Sequence, residues 1–238
     1  MTAKEIAGMI DLSAVRADST LEEIAQAAEM AGRYGFAAVF ALPAHTPYLL
    51  DRLGDSRVIA GGVAGFPGGA ETTAVKAAAA AELVRMGCRE IDMVNNLAWL
   101  KAGKRAAYRA DVRAVCEAAG GCPVKVILEC HWLTDEEIVR ACEECVEAGA
   151  AWVKTGTGWA PTGATAENVA LLKRTVGERC GVKAAGGVRD LDTLLALHAR
   201  GARRFGIGVR TAQAIFGAVA EKSAHAGRAE DRGSGVTV

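Results

Sequence analysis

Eight short apolar segments recur along the 238 residues, near 8–12, 37–42, 57–64, 90–95, 124–129, 151–155, 181–185 and 204–208. Between most of them lie stretches rich in Ala, Leu, Glu and Arg, with apolar residues at spacings of three and four, the period of a helix. The apolar segments read as continuous runs rather than alternating ones, as expected for parallel strands covered on both faces. Eight strand–helix units without a break predict an α/β fold, a single closed (β/α)8 TIM barrel over residues 1–222. An open doubly wound sheet is the alternative. It calls for a glycine-rich phosphate fingerprint after the first strand, and this chain has none there. Ser19-Thr20-Leu21-Glu22-Glu23 has the form of a helix start, a hydroxyl cap followed by carboxylates. Thr134-Asp135-Glu136-Glu137 repeats it ahead of a helix over 135–148. Residues 223–238 are polar, glycine-bearing and aperiodic, and predict a mobile tail.

Composition narrows the class of function. Hydrophobic residues make up 51% and charged residues 24%, a globular balance. The formal net charge is zero, so no nucleic-acid partner is expected. No apolar run has transmembrane length and Met1-Thr2-Ala3-Lys4-Glu5 does not open a signal peptide, so the expectation is a cytoplasmic protein with no membrane partner. Seven cysteines, an odd number, suit reduced thiols. Cys142-Glu143-Glu144-Cys145 has CxxC spacing, but inside a helical pattern and without a second pair; His45, His131, His198 and His225 are scattered. Neither a metal nor a cofactor is expected.

The chemistry is expected at the carboxyl ends of the strands and in the loops after them. Two lysines stand on consecutive apolar segments with glycines close behind: Val153-Lys154-Thr155-Gly156-Thr157-Gly158 and Val182-Lys183-Ala184-Ala185-Gly186-Gly187. A buried lysine loses hydration, and a second cation nearby disfavours its charge further; both lower its pKa and expose a nucleophilic amine. A lone lysine on a strand is most often a structural ion pair. Here Asp92 joins the two lysines on the same kind of segment, and a carboxylate between two amines can hold one protonated while the other becomes neutral. That is what a Schiff base with a carbonyl requires. Asp11, Ser13, Asn95, Asn96, Lys125, Glu129 and Thr155 are further polar residues on or just after apolar segments. Gly186 and Gly187 close the seventh strand, and Gly206 and Gly208 flank the end of the eighth, where barrels often hold phosphate on backbone N–H groups. Trp99, Trp132 and Trp159 either wall a pocket or pack loops down.

On these residues the sequence resembles the deoxyribose-phosphate aldolase family of Schiff-base-forming class I aldolases. The likeness runs in order from about Asp11 to Thr211. It includes Gly65-Phe66-Pro67-Gly68-Gly69, Glu90-Ile91-Asp92-Met93-Val94, Lys125-Val126-Ile127-Leu128-Glu129, Lys154-Thr155-Gly156-Thr157-Gly158, Lys183-Ala184-Ala185-Gly186-Gly187-Val188-Arg189 and Arg204-Phe205-Gly206. The resemblance implies a metal-free barrel that cleaves 2-deoxyribose 5-phosphate to acetaldehyde and glyceraldehyde 3-phosphate. It implies Lys154 as the Schiff-base lysine, Lys183 as the neighbour that lowers its pKa, and Asp92 as the proton-relay acid. Asp11, Lys125 and Thr155 are expected around the substrate, Gly186, Gly187 and Gly206 around its phosphate, with Gly208 and Arg210 after strand 8. A homodimer is a further implication.

The chain departs from the family pattern around the substrate. Gly156 stands where the family usually has serine, and Gly208 and Val209, followed by Arg210, where it usually has hydroxyl residues. Phe40 stands where a cysteine is common, and Glu129-Cys130-His131-Trp132 replaces a smaller, less aromatic run. Two alternatives therefore stand beside the aldolase expectation. One is a paralogue with a different aldol substrate, its phosphate altered or absent; the other is a non-catalytic barrel that binds a sugar phosphate.

Overall fold

The computed structural model describes residues 1–217, so the expected tail at 223–238 and the last residues of the expected 1–222 unit lie outside the described residues. The strands are β1 (Ile10–Ala14), β2 (Ala38–Ala41), β3 (Ile59–Ala64), β4 (Glu90–Val94), β5 (Val124–Ile127), β6 (Trp152–Lys154), β7 (Gly181–Ala185) and β8 (Arg204–Ile207). All neighbours are parallel and the sheet closes, β1 pairing with β8 through Ile10↔Phe205, Asp11↔Gly206 and Leu12↔Ile207. The fold is the (β/α)8 barrel that the rhythm of the sequence predicts.

Helices cover the outside. They are α1 (Ala3–Ala7), α2 (Leu21–Tyr34), α3 (Thr46–Leu53), α4 (Thr73–Met86), α5 (Leu97–Lys101), α6 (Arg105–Ala118), α7 (Asp135–Ala148), α8 (Ala166–Val176) and α9 (Leu191–Ala199). A final helical stretch opens at 209. The helix starts expected from sequence are made by side-chain caps. Thr20 Oγ1 accepts from Glu23 N at 3.1 Å, and Thr134 and Glu137 form a reciprocal capping box at the head of α7. Gly35 and Gly149 end α2 and α7 in the left-handed conformation, which glycine adopts without steric cost.

The strands are buried along nearly their whole length, yet they are not continuously apolar. Ile10 and Leu12, Ile91 and Met93, Val124 and Val126, Val153, Val182 and Ala184, and Phe205 and Ile207 face the helices and form one large core with them. The residues between them face the lumen, and there the strands carry Asp11, Glu90, Asp92, Lys125, Lys154, Lys183 and Arg204. A continuous apolar run holds for burial only; the period-2 alternation of a strand separates an oily outer face from a charged inner one. Most strands are also shorter than the expected segments, and β1 is shifted toward the C-terminus. Asp11 and Ser13 lie within β1, while Glu129 and Thr155 fall just beyond β5 and β6.

Candidate active site

Register sets the lumenal charges in two rows, offset by two residues where β5 meets β6, since Lys125 pairs with Trp152 and Ile127 with Lys154. Asp92 of β4 pairs with Lys125 of β5, Lys154 of β6 with Lys183 of β7, and Lys183 with Arg204 of β8. Asp92 Oδ2 accepts from both Lys154 Nζ and Lys183 Nζ, each at 2.7 Å. Lys183 Nζ is also 2.7 Å from Asp11 Oδ2. Lys125 pairs with Glu90 and lies 3.2 Å from Asp11. Arg204 closes the ring, its Nε 2.7 Å from Asp11 Oδ1 and its Nη2 2.7 Å from Glu90 Oε2.

This cluster contains three carboxylates (Asp11, Glu90, Asp92) and four bases (Lys125, Lys154, Lys183, Arg204). In a buried cluster, one uncompensated positive charge is costly. The group best placed to shed it is Lys154. Burial, opposed by Asp92 and reinforced by the Lys183 charge, depresses its pKa to about 8. Lys183 moves the other way. Burial alone would lower it, but Asp11 and Asp92 outweigh burial and raise it. The two lysines thus diverge, one neutralised and one held charged, rather than both being lowered. Burial would raise Asp92, but Lys154, Lys183 and Lys125 hold it well below the usual carboxylate range. Asp11 is lowered in the same way, its burial overcome by Lys183, Lys125 and Arg204.

Lys154, 4% exposed, reaches a cavity of about 230 Å³ at the mouth of the barrel. Gly186, Gly187, Gly206 and Gly208 line it, as do Arg189 and Thr211. Gly186 and Gly187 turn at φ 79° and 81°, where a side chain would be strained. A Cβ at Gly206 would lie 2.9 Å from Ala185 Cβ and 3.4 Å from Lys183 Cε, so this glycine leaves room for the lysine. The other expected substrate contacts are placed elsewhere. Asp11 and Lys125 lie fully buried in the charge network beneath the cavity. Thr155 Oγ1 is occupied by the end of β7, donating to Ala185 O at 2.8 Å and accepting from Ala185 N at 2.9 Å. Arg210 is exposed and faces away. The helix that opens at 209 turns it into a separate surface groove with Glu22, Glu23 and Glu29 of α2.

Sequence reasoning did not single out Glu90, Arg204 or Arg189. Glu90 and Arg204 sit within the quoted motifs, but their pairing crosses from β4 to β8 and has no local signal. Arg189 lines the cavity with no ion pair among the described residues, unlike Arg16, which binds Asp18 and Glu23. The loops above are tied together. Glu129, the sole non-glycine residue of positive φ among the described residues, accepts from Thr157 N at 3.1 Å and from the Thr157 hydroxyl. A Cβ at Gly156 would lie 2.6 Å from Glu129 Oε1, so glycine at this position fits the Glu129 contact. Trp159, 48% exposed, donates from Nε1 to Val15 O at 3.3 Å and meets Phe66 edge-on. It also stands between the main cavity and a neighbouring one lined by Trp132 and Glu129. Trp99 lies on α5, partly buried against the core.

Residues 9–220 match the sequence profile of the DeoC/LacD family aldolases. The chain belongs to the DeoC/LacD aldolase family. A deoxyribose-phosphate aldolase of Klebsiella pneumoniae subsp. pneumoniae is 44% identical over 209 residues, covering 87% of this chain and 84% of the relative. One of Methanothermobacter thermautotrophicus is 45% identical over 206 residues, covering 86% and 92%. Among solved structures, an aldolase called QR15 superposes with a TM-score of 0.86 at 33% identity, covering 92% of this chain and 97% of that one. A tetrameric deoxyribose phosphate aldolase of Aeropyrum pernix gives 0.81 at 27% identity, covering 90% of each. Schiff-base chemistry is general to this family, and members named deoxyribose-phosphate aldolase are aldehyde-lyases. Among the described residues no helix is long and apolar enough to cross a membrane.

Proposed function

We propose that this family member is a class I aldolase that reversibly cleaves 2-deoxy-D-ribose 5-phosphate to acetaldehyde and D-glyceraldehyde 3-phosphate. The observation that carries the reading is the imbalance of the lumenal cluster, four bases against three carboxylates, relieved when Lys154 gives up its proton. Neutral Lys154 attacks the substrate C1 carbonyl, and loss of water leaves an iminium. The C2–C3 bond then breaks, its electron pair passing toward the iminium to give an enamine, while the C3 hydroxyl proton leaves with formation of the second aldehyde. A proton returns to C2, and water releases acetaldehyde from Lys154. Proton movements around the adduct fall to Asp92 with Lys183, which share Asp92 Oδ2 with the nucleophile.

The far end of the substrate reaches the cavity, where backbone N–H groups of Gly186, Gly187, Gly206 and Gly208, with Arg189, suit a phosphate. Asp11 and Lys125 act beneath the substrate by holding the lysines and Asp92 in place. A second reading keeps the chemistry and changes the substrate. It is favoured by Gly156, Gly208 and Val209, which offer no hydroxyl where the family usually has one, each worth about 1.5–3 kcal/mol to a charged ligand. Turnover of 2-deoxyribose 5-phosphate and free 2-deoxyribose separates the two. The first reading predicts a strong preference for the phosphorylated sugar in kcat/KM; equal turnover, or preference for the free sugar, supports the second.

A further inference from the structure

Beneath Lys154 one wall of the charged cluster is aromatic. Phe40, on β2, is 1% exposed and belongs with Ala38 and Val63 to a small apolar group of its own, apart from the core beneath the helices. Its ring centroid lies 4.3 Å from Lys183 Nζ and 4.7 Å from Lys125 Nζ, inside the range at which a ring face attracts an ammonium. Neither lysine lacks a counter-ion. Lys183 is 2.7 Å from both Asp11 and Asp92, and Lys125 pairs with Glu90. The neighbouring strand is shaped around the ring: Phe40 pairs in register with Gly61 of β3, where a Cβ would overlap the ring.

A ring in this position has two physical effects. Its electron-rich face favours the charged form of Lys183. It also fills space where water would solvate that ammonium and screen it from neighbouring charges. We propose that Phe40 is a positioning residue of the aldolase site, its ring packing on Lys183 and Lys125 and holding Lys183 as a fixed cation so that Lys154 is the base that gives up its proton. The proposal rests on the reading of Lys154 as the Schiff-base amine. The charged groups around the ring and its two lysines are Asp11 from β1, Glu90 and Asp92 from β4, Lys154 from β6 and Arg204 from β8. β3 brings Gly61 and Val63, without charge. Asp92 touches both Lys154 and Lys183, so a change in how firmly Lys183 stays charged is felt directly at the nucleophile.

The test follows acetaldehyde trapping by borohydride on Lys154, read by peptide mass spectrometry in the full chain from about pH 6 to 10, around the ordinary lysine range. Wild type, Phe40→Leu and Phe40→Tyr are compared. Leucine removes the ring face and should move the rise in trapping upward by roughly one pH unit. Trapping near pH 7 then falls about tenfold while the alkaline plateau is kept. Tyrosine keeps the ring face and should keep the wild-type rise. A Phe40→Leu curve that rises where wild type does overturns the proposal, whatever the thermal stability of the variant, because a purely structural ring leaves the curve in place. A tyrosine variant displaced as far as the leucine one overturns it too. Should the leucine variant not fold, Phe40→Met, of similar bulk without a ring, reads the same displacement. If wild type forms no adduct at any pH, the assignment of Lys154 and this proposal fall together; adduct without displacement removes the role of Phe40 alone.

Discussion

At the scale of single residues, charge arithmetic within a buried cluster selects the nucleophile. Lys154 is the surplus base, and with its pKa near 8 about a tenth of it is neutral at pH 7, against well under a thousandth for an ordinary lysine. Two expectations follow. Lys154→Met should abolish turnover yet raise stability at pH 7 by on the order of 2 kcal/mol, because the folded state no longer holds a buried amine whose protonation it disfavours. Thermal unfolding of the two proteins at matched pH checks it. Asp92→Asn should be doubly damaging. It removes the shared partner of two lysines, lowering kcat by about 10²–10⁴, and takes from Lys154 its carboxylate partner while Lys183 keeps Asp11, at a cost of about 3–5 kcal/mol. Steady-state kinetics and urea unfolding report the two losses separately. The triad of Lys154, Lys183 and Asp92 was legible in the sequence because each is a charge within an apolar run. Glu90 and Arg204 were harder to see. Glu90 opens its strand beside Arg89, and Arg204 follows Arg203, so both read as ordinary strand-edge polarity until β4 and β8 face each other across the lumen.

At the scale of elements, a second buried ion pair shapes the mouth. Lys76, fully buried on α4, pairs with Asp111 of α6 and donates to Gly69 O at 3.0 Å, while Thr73 donates to Asp111 at 2.9 Å. It fastens the Gly65–Gly69 loop to the helix layer. Lys76→Met strands Asp111 without its counter-ion and should cost about 3–5 kcal/mol by urea unfolding, whereas a loss under 1 kcal/mol would mean the loop is held by other contacts. Loop 6 carries the opposite lesson about departures from a family pattern. Gly156→Ser, which restores the usual residue, should lower the melting temperature, since its Cβ meets Glu129 and must displace the carboxylate that orders Thr157. Helix starts at Thr20 and Thr134 were legible because caps are local chemistry. Arg210 was not, because a residue just after a strand end can turn to either side, and the helix opening at 209 turns it toward α2.

At the scale of the molecule, the rhythm of eight units sufficed for the barrel, but the alternation within each strand did not stand out because strands of three to six residues offer few turns of the period. The lumenal network also sets how stability responds to pH. Asp11 and Asp92 have folded pKa values below those of unfolded carboxylates, so their contribution is complete above about pH 4 and is lost as pH falls through the folded values. Lys183, raised, contributes below about pH 10 and loses this as pH rises beyond it. Lys154, lowered, opposes folding below about pH 8, and that opposition fades between there and about pH 10. Wild type should therefore gain stability between about pH 8 and 10 relative to Lys154→Met, a difference readable by thermal melts across that range.

The most direct measurement is the pH dependence of the borohydride-trapped acetaldehyde adduct, located by peptide mass spectrometry. The adduct is expected on Lys154, rising with a midpoint near pH 8, and absent from Lys183 and Lys125. An adduct on Lys183 instead, or on Lys154 only near the pH at which an ordinary lysine deprotonates, would contradict the account.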